Sequence, residues 1–410
     1  MVRNGTVIPA CYQGVMNRYA IHRRRFLRSG TEALTTFLMG GLIGRELNAG
    51  QASAQLFGSI ADLGDLMPPD ANDLMLPPGF RSRIVARSRE RVIGSSRYRW
   101  HDAPDGGACY AAPDGGWVYV SNCEIDEGKG GVGAIRFDAS GDIVDAYPIL
   151  EGTNNNCAGG KTPWQTWLSC EEVEDGLVYE CDPFGERPAV ARPALGRFEH
   201  EAVAVDPEQG HLYLTEDVEN GGFYRFTPAN GLPDLGAGRL EIAGLDYGVE
   251  RTRVVWHRID DPLAARAPTR NQVAGYFPFN GGEGISWHAG VVYFTTKGDE
   301  RVWQYDCRTR ALGILYDAAT ASTPHLTGVD NVTITASGDV LVAEDGGNMQ
   351  IVLLTRSGLV VPVVQVVNQD ESEICGPAFS PSFDRLYFSS QTGHENRDSD
   401  GITYEISFAR

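Results

Sequence analysis

The sequence is short of several things, and each absence removes a class of function. It has no paired Cys-x-x-Cys, so no zinc knuckle is built from cysteines. It has no Gly-x-Ser-x-Gly elbow to present a serine nucleophile, and no P-loop or Gly-x-Gly-x-x-Gly strand–helix unit to cradle a nucleotide. Positive charge is scarce: 35 Lys and Arg stand against 54 Asp and Glu, a net charge of −19. Such a balance leaves no basic face for nucleic acid. Long apolar runs are missing too. The best one, Ala33 to Ile43, is broken by Gly40-Gly41 and is too short for a permanent membrane span.

What is present begins with an export segment. His22-Arg23-Arg24-Arg25-Phe26-Leu27-Arg28 carries a twin arginine, the apolar run follows, and Ala52-Ser53-Ala54 offers a small-x-small cleavage site. Residues 1–54 therefore read as a twin-arginine signal peptide. The remainder, 55–410, is expected to reach the periplasm or the medium through the twin-arginine machinery, already folded and as a monomer. Residues 1–54 hold seven Arg and two acids, so their removal takes the net charge to −24. An anionic substrate would then meet a strongly acidic protein unless clustered carboxylates bind cations. Cys11 leaves with the signal, and the seven remaining cysteines cannot all pair.

With 49 Gly and 22 Pro, the chain is rich in turns. One pattern recurs: an apolar strand, a turn with Asp or Gly, then a second strand ending in polar or acidic residues. Its copies are 108–124, 157–172, 201–217, 283–299, 331–346 and 375–391. A further strand-like run follows most copies, as in 132–141, 222–231, 301–311 and 349–358. Repeats of this length with several strands each predict an all-β, six-bladed propeller as a single domain. One long inter-blade insertion, about 230–280, doubles the spacing between the third and fourth copies. Within it, 238–245 and 253–259 complete the third blade, and Asp260 to Gly275 is a surface loop or short helix. Gly79 to Ala86 and Gly401 to Phe408 supply outer strands that close the ring.

In such a ring the starts of the first strands and the exits of the second strands converge on one mouth. Strand starts bring Cys157, Glu201, Glu283, Asp330 with Asn331, and Cys375. Exits bring Glu124, Glu171 with Glu172, Glu216 with Asp217, Asp299, and Glu344 with Asp345. So many carboxylates in one funnel require cations. Oxygen-rich sites suit calcium, and a thiolate among carboxylates suits a transition metal such as iron.

At these residues the sequence resembles the PhoX-type alkaline phosphatases. The resemblance rests on 156–172 (NCAGGKTPWQTWLSCEE), RFEHEA (197–202), YLTED (213–217), Glu283-Gly284 and AEDG (343–346), with SNCE (121–124) as a weaker match. It implies an exported propeller phosphatase whose cofactors are iron and calcium and whose substrate is a small phosphate monoester. It also implies that Cys157 is an iron ligand and that Glu201 and Glu283 are carboxylate ligands. Glu124 and Glu171 are then calcium candidates, with Glu172, Glu216, Asp217, Asp330 and Glu344 as further ones. The family places Arg-Pro where this chain has Gly281-Gly282. The phosphate-gripping arginine is therefore absent, and Lys161, Arg197, Lys297 or Arg301 is expected to replace it.

Two other readings stand beside this one. Residues 328–345 (GVDNVTITASGDVLVAED) are similar to gluconolactonase-type propellers, with Glu283, Asn331 and Asp345 as the metal set of a lactone hydrolase. A non-catalytic, calcium-stabilised binding propeller is the other. His200 is expected to orient Glu201, while His288 and His325 read as loop residues. Trp164, Trp167 and Trp287 read as packing. Cys109 with Cys375, and Cys170 with Cys181, are candidate disulfides, with free buried thiols as the default.

Overall fold

Strand alternation and tight turns build the chain from antiparallel hairpins. In the fourth blade His288 pairs with Val291, so Ala289-Gly290 is a two-residue loop. Both residues have positive φ, +47° and +82°, the geometry that matches the twist of flanking strands. A computed structural model describes residues 63–321, 325–356 and 358–408. The twin-arginine segment, its cleavage site and Cys11 lie outside the described residues. Among those described, helical structure is confined to 3-10 turns of three or four residues. Among the described residues no helix is long and apolar enough to cross a membrane.

Six antiparallel sheets form the blades of a β-propeller. Their innermost strands are Pro104–Ala111, Asn156–Lys161, His200–Asp206, Gly282–His288, Val329–Ile334 and Ile374–Phe379. Each contacts the next, and the sixth contacts the first, which closes the ring. Closure uses the strands expected from the sequence. Phe80–Arg87 pairs antiparallel with Ile402–Phe408 and becomes the outer strand of blade 6. Leu74–Met75 adds a fifth strand to blade 5. In blade 3, Gly238–Tyr247 and Thr252–Arg258 are the fourth and fifth strands. Thr269–Gln272 forms the short turn in the loop that follows. Blade 1 starts at Pro104, ahead of the sequence-based start at 108.

The core is divided into six apolar clusters, one at each contact between neighbouring blades. Aromatic pairs cross these contacts, with Tyr119 and Tyr387 stacked at 5.1 Å between blades 1 and 6 and Phe223 and Phe294 at 4.5 Å between blades 3 and 4. Each such ring buries a large area, and offset stacking contributes about 0.5–1.5 kcal/mol beyond it. Trp167 lies in the core between blades 1 and 2, while Trp164 and Trp287 pack against the edges of neighbouring clusters. All seven cysteines described are free and buried, so neither candidate disulfide forms.

Candidate metal centre at the mouth of the ring

Every innermost strand has a β-bulge just after its first residues. The ladder shifts between Pro104 and Gly107, Asn156 and Gly159, His200 and Val203, Gly282 and Ile285, Val329 and Val332, and Cys375 and Ala378. A bulge bends the strand and re-aims a side chain. The residues inside these bulges, in order, begin with Asp105, Cys157, Glu201, Glu283, Asp330 and Gly376. Five potential ligands thus occupy one structural position around the ring. Gly284 permits the close approach this needs, since a Cβ there would lie 2.5 Å from the Val332 nitrogen.

The bulges are pinned by polar side chains reaching across blade boundaries. Asn122 Nδ2 donates to the carbonyls of Cys157 (2.9 Å) and Ala158 (2.7 Å), and its Oδ1 accepts from Trp167 Nε1 and Ser169 Oγ. Thr215 donates to the Glu283 carbonyl at 2.6 Å, and Thr295 donates to that of Asp330. Asn331 Oδ1 accepts from the Gly376 N–H at 2.6 Å. These residues sit where an apolar strand would otherwise continue, a signal that was legible in the sequence.

Four overlapping groups of ligand atoms result, each with all members within 4.8 Å: Asp105, Glu124 and Cys157; Asp105, Glu373 and Cys375; Cys157, Glu172 and Glu201; and Glu201, Glu283 and Asp330. The structure therefore brings together Cys157, Glu201, Glu283, Glu124, Glu172 and Asp330. It adds Asp105 and Glu373, which the sequence reading missed, and gives Cys375 two carboxylate neighbours. Asp105 was hidden because the blade 1 hairpin is longer than the others. Glu373 was hidden because blade 6 has glycine in its bulge and takes its carboxylate from just ahead of the strand.

The acidic pairs at the second-strand exits divide by strand alternation. The first acid of each pair turns away from the others and ties down its own loop. Glu171 accepts from the N–H groups of Asn154 and Leu177, and Glu344 from those of Thr327 and Gln350. Glu216 accepts from the Gly222 N–H, Tyr224 Oη and Arg270. The next residue in each blade faces the mouth, giving Glu124, Glu172, Asp217, Lys297, Asp345 and Gln391. Gln391 Nε2 bridges Asp105 and Glu124 at 2.7 and 2.6 Å. Asp299, expected at the blade 4 exit, instead bonds Thr296 and pairs with Arg301.

Electrostatics follow from this crowding. Glu201 is fully buried, and neither of its carboxylate oxygens has a partner. Burial, reinforced by Glu283, Glu172 and Asp330, holds its carboxyl well above the usual range. Burial first and neighbouring charges second also raise Asp105, Glu283 and Glu373 well above it. Glu172 is pushed up to about 9 and Asp330 to about 7, burial again leading. Burial and the surrounding carboxylates raise both the Cys157 and Cys375 thiols. An ionised carboxylate taken from water without a partner costs several kcal/mol. A cation at Glu201 would remove that cost, so the orphaned oxygens fit a metal. Thiols beside hard oxygens suit a mixed set of ions.

The candidate phosphate contacts separate. Lys161 lies at the far end of its strand, donating to the Cys109 carbonyl and stacked over Tyr110. Arg301 pairs with Asp299 and Asp317. Lys297 is in the mouth, 2.8 Å from Glu283. Arg197 lines a cleft of about 390 Å³ with Glu174, Asp175, Phe198, Arg266 and Arg270. This cleft lies between the loop that follows Glu172, the lead-in to Glu201 and the insertion. His200 does not orient Glu201. Its Nε2 donates to the Gly196 carbonyl, its ring packs on Phe198, and burial lowers its pKa to about 3. Asn331 of the lactonase set has its Oδ1 engaged by Gly376.

No curated protein matches this sequence. The family described as alkaline phosphatase PhoX matches residues 131–311, from the third strand of blade 1 into blade 4. Among solved structures, PhoX of Pseudomonas fluorescens in complex with vanadate, a transition state analogue, is 16% identical with a TM-score of 0.70. The match covers 84% of this chain and 98% of that one. The Xanthomonas campestris gluconolactonase XC5397 is 12% identical with a TM-score of 0.45, covering 85% and 99%. Residues 131–311 are thus similar to the alkaline phosphatase PhoX family, and the six-bladed ring shares its fold with a solved PhoX.

Proposed function

We propose that this protein is a metal-dependent hydrolase of phosphate monoesters, with iron and calcium held at the mouth of the ring. One observation carries the metal reading: Glu201, fully buried with both oxygens unpartnered, stands between Cys157 and Glu172 on one side and Glu283 and Asp330 on the other. Cys157, with Glu172 and Glu201, is assigned to iron. Asp105, Glu124, Glu373 and the Glu283–Asp330 pair supply hard oxygens for calcium. Glu171, Glu216 and Glu344 are assigned to loop anchoring.

When bound, such ions polarise phosphoryl oxygens and lower the pKa of bound water. The protein's own residues do the rest. The bulges fix the ligands, and Asn122, Thr215 and Thr295 keep those bulges from relaxing, so little reorganisation is needed at the moment of reaction. Arg197 is the cation assigned to the phosphate, since Lys297 is already engaged by the mouth carboxylates Asp217, Glu283 and Asp345. The cleft beside Arg197, lined by three arginines and Phe198, receives the leaving group. Export through the twin-arginine route would deliver the protein folded to the periplasm or the medium.

Metal analysis of exported protein, with phosphomonoesterase assays of wild type and Cys157→Ala, tests the reading. Iron with calcium and loss of activity in the variant support it. Activity unaffected by Cys157→Ala refutes the iron assignment, and lactone hydrolysis without phosphatase activity overturns the phosphatase reading.

A further inference from the structure

Lys297 occupies a position with a plain geometric meaning. At the corresponding exit position four of the other blades present Glu124, Glu172, Asp217 and Asp345, and blade 6 presents the neutral Gln391. Blade 4 presents an ammonium in a ring of carboxylates. Its Nζ lies 2.8 Å from Glu283 Oε1, 3.4 Å from Asp345 Oδ2 and 3.6 Å from Asp217 Oδ2. Three carboxylates from three consecutive blades therefore converge on one protein cation. The backbone fixes its root: the Lys297 N–H donates to the Gly281 carbonyl at 2.8 Å, and Gly298 N–H to that of Asn280 at 3.0 Å.

Three carboxylate oxygens around one positive centre are the donor set of a hard divalent cation, at somewhat longer range than the 2.3–2.6 Å of calcium ligands. Glu283 also belongs to the group in which fully buried Glu201 directs two unpartnered oxygens inward. Among the described residues, Lys297 is the one cation that ion-pairs with the mouth carboxylates. Among the described residues, the side containing Cys157 and Cys375 has no ion pair of its own.

We propose that Lys297 is a built-in counter-ion that fills one cation position of the mouth. While it is present, the corner formed by Asp217, Glu283 and Asp345 takes no metal ion, and divalent cations load elsewhere in the mouth. Removing the ammonium opens a latent calcium site made of those three carboxylates. The inference rests on the metal-centre reading for its setting, yet its readout is the difference in ion count between variants and does not depend on phosphatase activity.

The test is calcium content per chain after equilibrium dialysis, measured by elemental analysis on wild type, Lys297→Met and Lys297→Arg, with thermal melts to verify folding. Lys297→Met is expected to hold one more calcium ion per chain than wild type, and Lys297→Arg the same number as wild type. Adding Asp345→Asn to Lys297→Met is expected to weaken the extra site at least tenfold. A folded Lys297→Met with the wild-type count overturns the inference, as does a Lys297→Arg that gains an ion. If Lys297→Met folds only weakly, Lys297→Gln is measured in its place, with the same two outcomes. A wild type without any metal overturns the metal-centre reading, and that result is read from the wild-type sample alone.

Discussion

The mouth has two unlike sides. Around blades 6, 1 and 2, Asp105, Glu124, Glu172 and Glu373 surround two thiols, and the amide of Gln391 is the donor that bridges Asp105 and Glu124. Around blades 3 to 5, Asp217, Glu283 and Asp345 share the Lys297 ammonium. Glu201 stands at the seam. The same propeller positions are thus filled by opposite means, one side leaving its carboxylates without a protein cation among the described residues and the other carrying a cation of its own. Repetition of the fold fixes where ligands point; the residue placed there decides who neutralises them.

The largest effect is expected at the seam. Glu201→Gln removes the carboxylate shared by two ligand groups, and activity is expected to fall beyond the roughly 10–100-fold seen when a residue merely supports a metal ligand. Retention of metal and activity by this variant would erase the distinction between the two sides. Cys157→Ala comes next. It is expected to lose iron while keeping calcium, because only soft-donor chemistry is removed; elemental analysis of the variant reads this directly.

Acidity probes the mouth as a whole. Buried carboxyls with raised pKa bind protons in the folded state that the unfolded chain has already released. Stability of the metal-free protein must therefore fall as pH rises from about 4.5, near the unfolded carboxyl value. The fall continues through about 7 for Asp330 and about 9 for Glu172. Melting temperatures of chelated protein between pH 5 and 9 are expected to drop by more than the roughly 2–4 °C that 1 kcal/mol is worth in a large domain. Calcium added back should flatten the profile; an equal slope with and without metal would contradict it.

Two smaller effects sharpen the picture. Asn122→Ala unpins the Cys157 bulge and is expected to weaken metal affinity by about 10–100-fold, measured by chelator competition. Glu344→Gln lies off the mouth and leaves backbone N–H groups with a weaker acceptor. It is expected to cost about 1–3 kcal/mol of stability, read by denaturant melts, with no change in metal count. A changed count would return Glu344 to the ligand set.

Much of this was legible beforehand, and the limits have physical causes. The hairpin repeat showed six blades because each blade repeats the same apolar hairpin for packing against its neighbours, and closure was readable in the strand-like runs at 79–86 and 401–408. The first motif placed Cys157 because its residues are contiguous. The exit pairs were only half legible. Adjacent residues of a strand face opposite ways, so one acid of Glu171-Glu172 or Glu216-Asp217 had to leave the mouth, yet which one depends on register. Asp105 and Glu373 escaped because hairpin length and a glycine bulge shifted them from the shared spacing.

By itself, then, the sequence determined the blade count, the closing strands, the acidic mouth and the family likeness, all of which depend on local pattern. Only the tertiary structure decided that Glu171, Glu216 and Glu344 anchor loops, that Asp105 and Glu373 join the cluster of potential ligand side chains, and that Lys297 and not Asp299 faces the mouth. Those outcomes depend on bulges and register, which bring residues from different blades to within a few ångströms, and no single blade's sequence contains that distance.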